Sequence, residues 1–273
     1  MEPGIYSMSA AEYHSSPGVS KSMLDRLHPT PLHFHSIKET TDPMEFGQCV
    51  HSLLLDREES YYVYPGMYES DGIIKKWNNN ANVCRTWVSE HSDKPILTRD
   101  EAVMVHAMAD SIHSHPFAGP ALRGARVEQS MFAIEPETEQ LVRCRVDAIP
   151  VLGRISGMKP LLDVKTVVAA DERSFNKVLF KRRLHVQGAA YIKIANLLGL
   201  DVDSFIFIVV EKSPPYAVAI YDLSPDDIRQ GNREYMRDLR TYKQCIATGN
   251  WPGYQTTPRM TCLPDYAFDI MGD

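Results

Sequence analysis

No cysteine in the sequence belongs to a C-x-x-C pair. The five, Cys49, Cys84, Cys144, Cys245 and Cys262, are widely scattered, which argues against a zinc or iron–sulfur site built on close thiolate spacing. An odd number without close spacings fits a reducing cytoplasm better than a disulfide-stapled secreted chain. Basic residues are in deficit: 29 Lys and Arg face 35 Asp and Glu, a formal net charge of −6. That excludes coating nucleic acid by bulk charge and leaves room for a local basic groove. No stretch approaches the roughly 20 apolar residues of a membrane span. The opening Met-Glu-Pro-Gly-Ile-Tyr has no basic segment followed by an apolar run. Internal repeats, low-complexity tracts and an obvious interdomain linker are missing as well. The expectation is a soluble cytoplasmic protein without a membrane partner, and the initial methionine favours a complete chain.

What is present suffices for a sizeable core: 273 residues, 44% hydrophobic and 23% charged. Residues 1–19, rich in Ser, Gly and Pro, read as an irregular docked arm. Ser20 caps a short helix, Lys21–Leu27, and Pro31 starts another over Leu32–Ile37. Residues 44–55 read as a helix with Gly47 and His51 on one face. Gly47 would let another backbone approach closely, while His51 on its own reads as a core histidine. Tyr61–Tyr64 is a short strand and the polar tract Lys75–Asn82 a mobile loop. Thr98 and Glu101 form the capping box of a helix to about His113. Residues 125–134 and the strand of Arg143–Asp147 make an antiparallel hairpin around the turn Glu135–Glu139. Glu128, in its first arm, reads equally as an edge-strand charge or a metal-site carboxylate.

The helix Asp171–Arg183 carries Lys177, Lys181, Arg182 and Arg183, a solvated face or a clamp on phosphates. In the next helix, His185–Leu198, Gln187 and Tyr191 share a face. The apolar run 204–211 is a strand buried on both sides, with 216–222 its antiparallel neighbour after Pro214-Pro215. Ser224-Pro225 starts an amphipathic helix to about Ala247, and the tail Trp251–Asp273 has no clear period. The order of elements implies an α/β fold with a mixed sheet.

The chain is organised around residues 141–166. Side chains alternate along a strand, so Arg143, Arg145 and Asp147 share one face, and Val142, Cys144, Val146 and Ala148 the apolar other. In the following strand Asp163 and Lys165 point the same way while Leu162 and Val164 pack. Two carboxylates and a lysine on otherwise apolar strands are costly to bury without a purpose. Hard divalent cations take oxygen ligands, and Mg²⁺ is held by one or two carboxylates with waters and substrate phosphate. The pattern points to a metal-assisted phosphodiesterase.

Taken in order, Gly47-x-x-x-His51, a strand ending in Asp147, Asp163-Val164-Lys165 and Gln187-x-x-x-Tyr191 resemble the PD-(D/E)xK nuclease superfamily in its RecB-like branch. Within that branch the likeness is to the RecE-type exonucleases, the exonuclease VIII catalytic domains. Glu2-Pro3-Gly4-Ile5-Tyr6, Gly18-Val19-Ser20-Lys21-Ser22 and Asn250-Trp251-Pro252 share in it. The resemblance implies a restriction-endonuclease-like core, a mixed central sheet flanked by helices, in a single nuclease domain spanning 1–273. Its N-terminal arm and short helices would be 1–40, its core 44–250 and its tail 251–273. It implies that His51, Asp147, Asp163 and the Val164 carbonyl ligate metal, that Lys165 is catalytic, and that Gln187 and Tyr191 form a motif near the active site. Glu128 matches an acidic position of related exonucleases. Arg143, Arg145, Lys177, Lys181, Arg182 and Arg183 are candidates for DNA contacts. The implied cofactor is Mg²⁺, with Mn²⁺ as substitute and two ions per site. The implied substrate is double-stranded DNA degraded from 5′ ends. The implied partners are a RecT-like single-strand annealing protein of phage or prophage recombination and further copies of the chain in a tetrameric ring. A Cas4-like or repair nuclease acting on single strands and a catalytically dead DNA-binding subunit are the alternatives.

Overall fold

The computed structural model of the protein describes residues 1–36, 42–56, 58–151, 155 and 157–263, with the backbone alone for 42–44. The N-terminal segment is more regular than its composition implies. It holds β1 (Gly4–Ser7), α1 (Ala10–Ser15), β2 (Val19–Ser20) and α2 (Lys21–Leu24). Ser9 and Glu12 close a capping box on α1, and the Ser20 hydroxyl accepts from the Met23 N–H at the start of α2. A four-residue strand paired to a segment far along the chain leaves no periodic signal, which is why an irregular arm was the expectation. The helix expected over Lys21–Leu27 tightens into a 3₁₀ turn at Asp25–Leu27. A second 3₁₀ turn, Pro31–His35, replaces the helix expected after Pro31, whose end at Ile37 lies outside the described residues.

α3 (Asp42–His51) leads into a π-helical turn, Ser52–Asp56. Then come β3 (Tyr62–Val63), a hairpin of β4 (Met67–Ser70) and β5 (Ile73–Lys76), α4 (Asn82–Glu90) and β6 (Ile96–Leu97). The tract expected as a mobile loop is therefore partly strand and the start of a helix. Its overlooked signal is Asp71-Gly72, both left-handed at φ 55° and 74°, as a tight hairpin turn requires. α5 (Arg99–Ser114) carries the expected Thr98–Glu101 capping box and is followed by α6 (Ala118–Leu122). The rest is β7 (Arg126–Ile134), β8 (Leu141–Ile149), β9 (Pro160–Val167), α7 (Glu172–Lys181), α8 (Leu184–Leu197), β10 (Ser204–Glu211), β11 (Val218–Asp222) and α9 (Pro225–Thr248).

The main sheet runs β1-β7-β8-β9-β10-β11, with β2 paired to β8. β9 and β10 are parallel, joined through α7 and α8, whereas β1–β7, β7–β8, β8–β9 and β10–β11 are antiparallel. One face packs Val142, Cys144, Phe205, Phe207 and Val209 against α8 and α9. The other packs Leu162, Val164, Ile206, Ile208 and Val210 against α3 and α5. β10 is thus buried on both sides, as its continuous apolar run requires. The result is the expected mixed α/β architecture with helices on both faces. α8 and α9 meet at Gly231, where an added Cβ would lie 2.3 Å from the His185 carbonyl oxygen. Gly47 imposes no such contact: an added Cβ would stand 3.5 Å from Thr166 Oγ1. The tail begins docked, Trp251 stacked on Phe34 at 4.8 Å and the Leu32 N–H donating to the Pro252 carbonyl. Among the described residues no helix is long and apolar enough to cross a membrane.

Candidate metal centre

β8 and β9 share one registered pair, Ala148 with Leu162. Two residues further on, where β8 no longer pairs, Val164 has both backbone groups taken by side chains. Its N–H donates to Asp147 Oδ2 at 2.7 Å, and its carbonyl meets His51 Nε2 at 2.9 Å. A carbonyl only accepts, so Nε2 carries the imidazole proton and Nδ1 presents a lone pair. That lone pair lies 3.5 Å from Asp147 Oδ2. Burial, then the Lys165 charge, lower the His51 pKa against the opposing Asp163 and Glu128 carboxylates. A neutral imidazole nitrogen and a carboxylate oxygen facing each other are satisfied by a proton or a cation between them. A histidine that donates its other N–H to a backbone carbonyl is in the arrangement that orients metal ligands.

Glu128 completes the group. On either side of it Val127 pairs with Ala148 and Gln129 with Val146, so Glu128 stands across the ladder from Asp147. Its own backbone is left-handed, φ 51°, a conformation that costs a non-glycine residue about 1–2 kcal/mol and gathers at functional sites. One ligand atom each from His51, Glu128 and Asp147 fall within 4.8 Å of one another. Arg145 ion-pairs with Glu128 and donates to the Met8 carbonyl at 2.6 Å. Burial and then Asp147 raise the Glu128 pKa, opposed by Arg145. Burial and then Asp163 raise that of Asp147 far above the usual carboxylate range, opposed by Lys165. These are acids crowded together at a cost that a divalent cation would offset.

Beside this trio, Asp163 is 1% exposed. It ion-pairs with Lys165 and accepts from Gln187 Nε2 at 2.6 Å. Gln187 reaches it because α8 starts at a sharp joint, Arg183 being left-handed at φ 51°. One turn along, Tyr191 packs edge-on to Phe205 at 5.8 Å, and burial drives its pKa well upward. The cluster could hold a divalent cation on His51, Glu128 and Asp147 and place an ammonium group beside it.

Residues 28–258 match the family described as a PDDEXK-like domain of unknown function, DUF3799. The chain belongs to this family. The solved structure of a candidate exonuclease from Eubacterium rectale resembles it at 10% identity, with a TM-score of 0.57 over 97% of this chain and 98% of that one. That likeness is one of fold. The structure of SSO0001 is 14% identical over 81% of this chain and 85% of that one, but its TM-score of 0.31 carries no weight. No curated protein matches.

In this PDDEXK-like chain the expected site residues divide. His51, Asp147 and Glu128 converge, and Asp163, Lys165, Gln187 and Tyr191 lie alongside. Asp163 was expected as a ligand, but its carboxylate is engaged by Lys165 and Gln187 rather than grouped with the trio. The Val164 carbonyl, also expected to ligate, instead fixes the His51 tautomer. Arg143 is not placed for DNA: it is buried, bonded to the Tyr13, Ser16 and His14 carbonyls, with its guanidinium over the Tyr13 ring. Arg145 is committed to Glu128. Arg183 is committed to Asp25, Glu234 and Asp238. A strand or helix pattern cannot show which arginines face carboxylates from distant segments. Lys177, Lys181 and Arg182 do face solvent. Two neighbours had no sequence signal. Lys21, buried, donates to the Arg182 carbonyl at 2.9 Å and pairs with Asp25 at 2.7 Å. Asp56 has its pKa raised by burial, with Arg145 and His51 opposing.

Proposed function

We propose that the chain is a metal-dependent nuclease. In the finer reading it is an exonuclease that degrades linear double-stranded DNA from 5′ ends and leaves 3′ overhangs for strand annealing. The observation that carries the nuclease reading is the opposed pair of acceptors, His51 Nδ1 and Asp147 Oδ2, joined by the Glu128 carboxylate and flanked by the Asp163–Lys165 pair. His51, Glu128 and Asp147 would hold Mg²⁺ or Mn²⁺, and Asp163 is the remaining carboxylate for a second ion. A divalent ion held there would supply Lewis acidity toward a phosphate and an attacking water. Asp163, itself held by Gln187, keeps the Lys165 ammonium at the site. Lys165 orients the attacking water and offsets negative charge developing on the phosphate. The half-buried Asp147 and Glu128 supply the charge that draws the cation in. The polarity, the RecT-like annealing partner, the tetrameric ring and the role of the whole chain as one nuclease domain with its core at 44–250 rest on the likeness to RecE-type exonucleases. Four buried free thiols, Cys49, Cys84, Cys144 and Cys245, suit a reducing cytoplasm.

The test is digestion of linear duplex labelled at each end, with Mg²⁺ and with EDTA. Release of nucleotides from 5′ ends only with Mg²⁺ is the expected result. Lys165→Ala and Asp163→Asn should each lower that release by at least about 100-fold while circular dichroism stays native. Full release by either variant overturns the assignment. Preference for single-stranded substrate would replace the duplex reading with the Cas4-like alternative.

A further inference from the structure

α7 carries a feature that the metal centre does not use. Its inner side is anchored by Phe175, fully buried, stacked on Tyr221 at 4.9 Å and edge-on to Phe207 at 5.4 Å. On its outer side Phe180 is 78% exposed. Arg173, Lys177 and Phe180 recur at i, i+4 and i+7 and so share one stripe of the helix. All three are exposed, as are Lys181 and Arg182 next to them. From Arg173 to Arg182 every ionisable side chain is cationic, on a chain whose net charge is −6. The helix follows directly on β9, the strand of Asp163 and Lys165. Beyond its far end the chain enters the first turn of α8, from which Gln187 donates to Asp163 at 2.6 Å. The end of α7 therefore lies on the face of the sheet where α8 reaches Asp163.

Cations alone would suit a phosphate backbone. A phenyl ring held in water among them suits a flat apolar face between phosphates. In a nucleic acid that face is open only on an unpaired base or at a duplex end, since interior bases stack on one another. We propose that Phe180 is a stacking platform for an unpaired or terminal base of the nucleic acid, with Arg173, Lys177 and Lys181 holding the adjoining phosphates. The proposal rests on the reading of nucleic acid as substrate, and it adds that an unpaired or terminal base reaches this helix.

The experiment measures fluorescence anisotropy of labelled oligothymidylate with the full chain in EDTA, so that binding is read without hydrolysis. A duplex closed by loops of a non-nucleotide linker, with no free end and no unpaired base, is the comparison probe. Phe180→Ala should weaken oligothymidylate binding by about 5- to 150-fold, the worth of one stacked base, and leave the closed duplex unaffected. Phe180→Trp should restore binding and Phe180→Leu should not. The melting temperature of Phe180→Ala should match wild type. Unchanged oligothymidylate binding by Phe180→Ala, equal weakening on the closed duplex, rescue by leucine, or no binding by wild type would each overturn the proposal. The two readings fail separately. Binding that needs Phe180 without Mg²⁺-dependent release sinks the nuclease assignment alone, and release without any effect of Phe180→Ala sinks the platform alone.

Discussion

Replacing Asp147 by asparagine should stabilise the metal-free protein while removing its response to metal. The Asp147 carboxyl is pushed up to about 7 from an ordinary 3.8. Its raised value means that its contribution to stability is present below the unfolded value and is lost as pH rises through the folded one. Three pKa units at about 1.4 kcal/mol each set a ceiling near 4 kcal/mol, so a gain on the order of 2–4 kcal/mol is expected at pH 8. Asparagine keeps an oxygen for the Val164 N–H. At roughly 2–4 °C per kcal/mol for a chain of this size, the melting temperature in EDTA should rise by about 4–16 °C. Well below pH 3.8, where the wild-type carboxyl is protonated in both states, the two proteins should melt together. Adding Mn²⁺ at pH 8 should raise the wild-type melting temperature and leave Asp147→Asn where it was. Melting scans by circular dichroism decide it. A variant that melts below wild type at pH 8 in EDTA, or that gains as much from Mn²⁺, would refute the idea that crowded charge at this carboxylate waits for a cation.

Other outcomes follow from the same geometry. Arg183→Met should cost about 3 kcal/mol in urea unfolding, because it strips a cation from Asp25, Glu234 and the 4%-exposed Asp238. Burial would raise the Asp238 pKa, but His28 and Arg183 hold it below normal. Its share of stability should therefore fade as pH drops through the acid range, and a stability difference between wild type and Asp238→Asn as large at pH 3 as at pH 6 would contradict this. Gly231→Ala should force α8 from α9 and lose about 1–3 kcal/mol or more; an unchanged melting temperature would mean that the helices do not meet there. Lys177→Ala should leave stability alone and reduce the salt slope of DNA binding by about 1, whereas an unchanged slope would place that side chain off the backbone path.

The parts of the fold that could be read in the sequence were those with a period or a cap. The β10 run and the Thr98 capping box each announce themselves within a dozen residues, and the hairpin of β7 and β8 within its two arms and turn. The strand β1 does not, because its partner β7 is distant and its four residues carry no alternation long enough to see. Among the site residues, Asp163 and Lys165 stood out because acid and base on a buried strand are rare. His51 did not, since a helical histidine becomes a ligand only when something fixes its tautomer, here a carbonyl on another element. The arginines misled for the same reason in reverse. Arg143, Arg145 and Arg183 look like free cations until tertiary structure supplies the carbonyls and carboxylates that neutralise them.

Met8 lends its carbonyl to Arg145, and Gly4–Ser7 lies along the strand that carries Glu128. Both precede residue 28, where the family match begins. A protein trimmed to the family's span would keep every acid of the cluster yet lose the brace behind one of them. Such a truncation is expected to fold loosely around its cation, so preparations meant to reveal the chemistry should retain the leading segment.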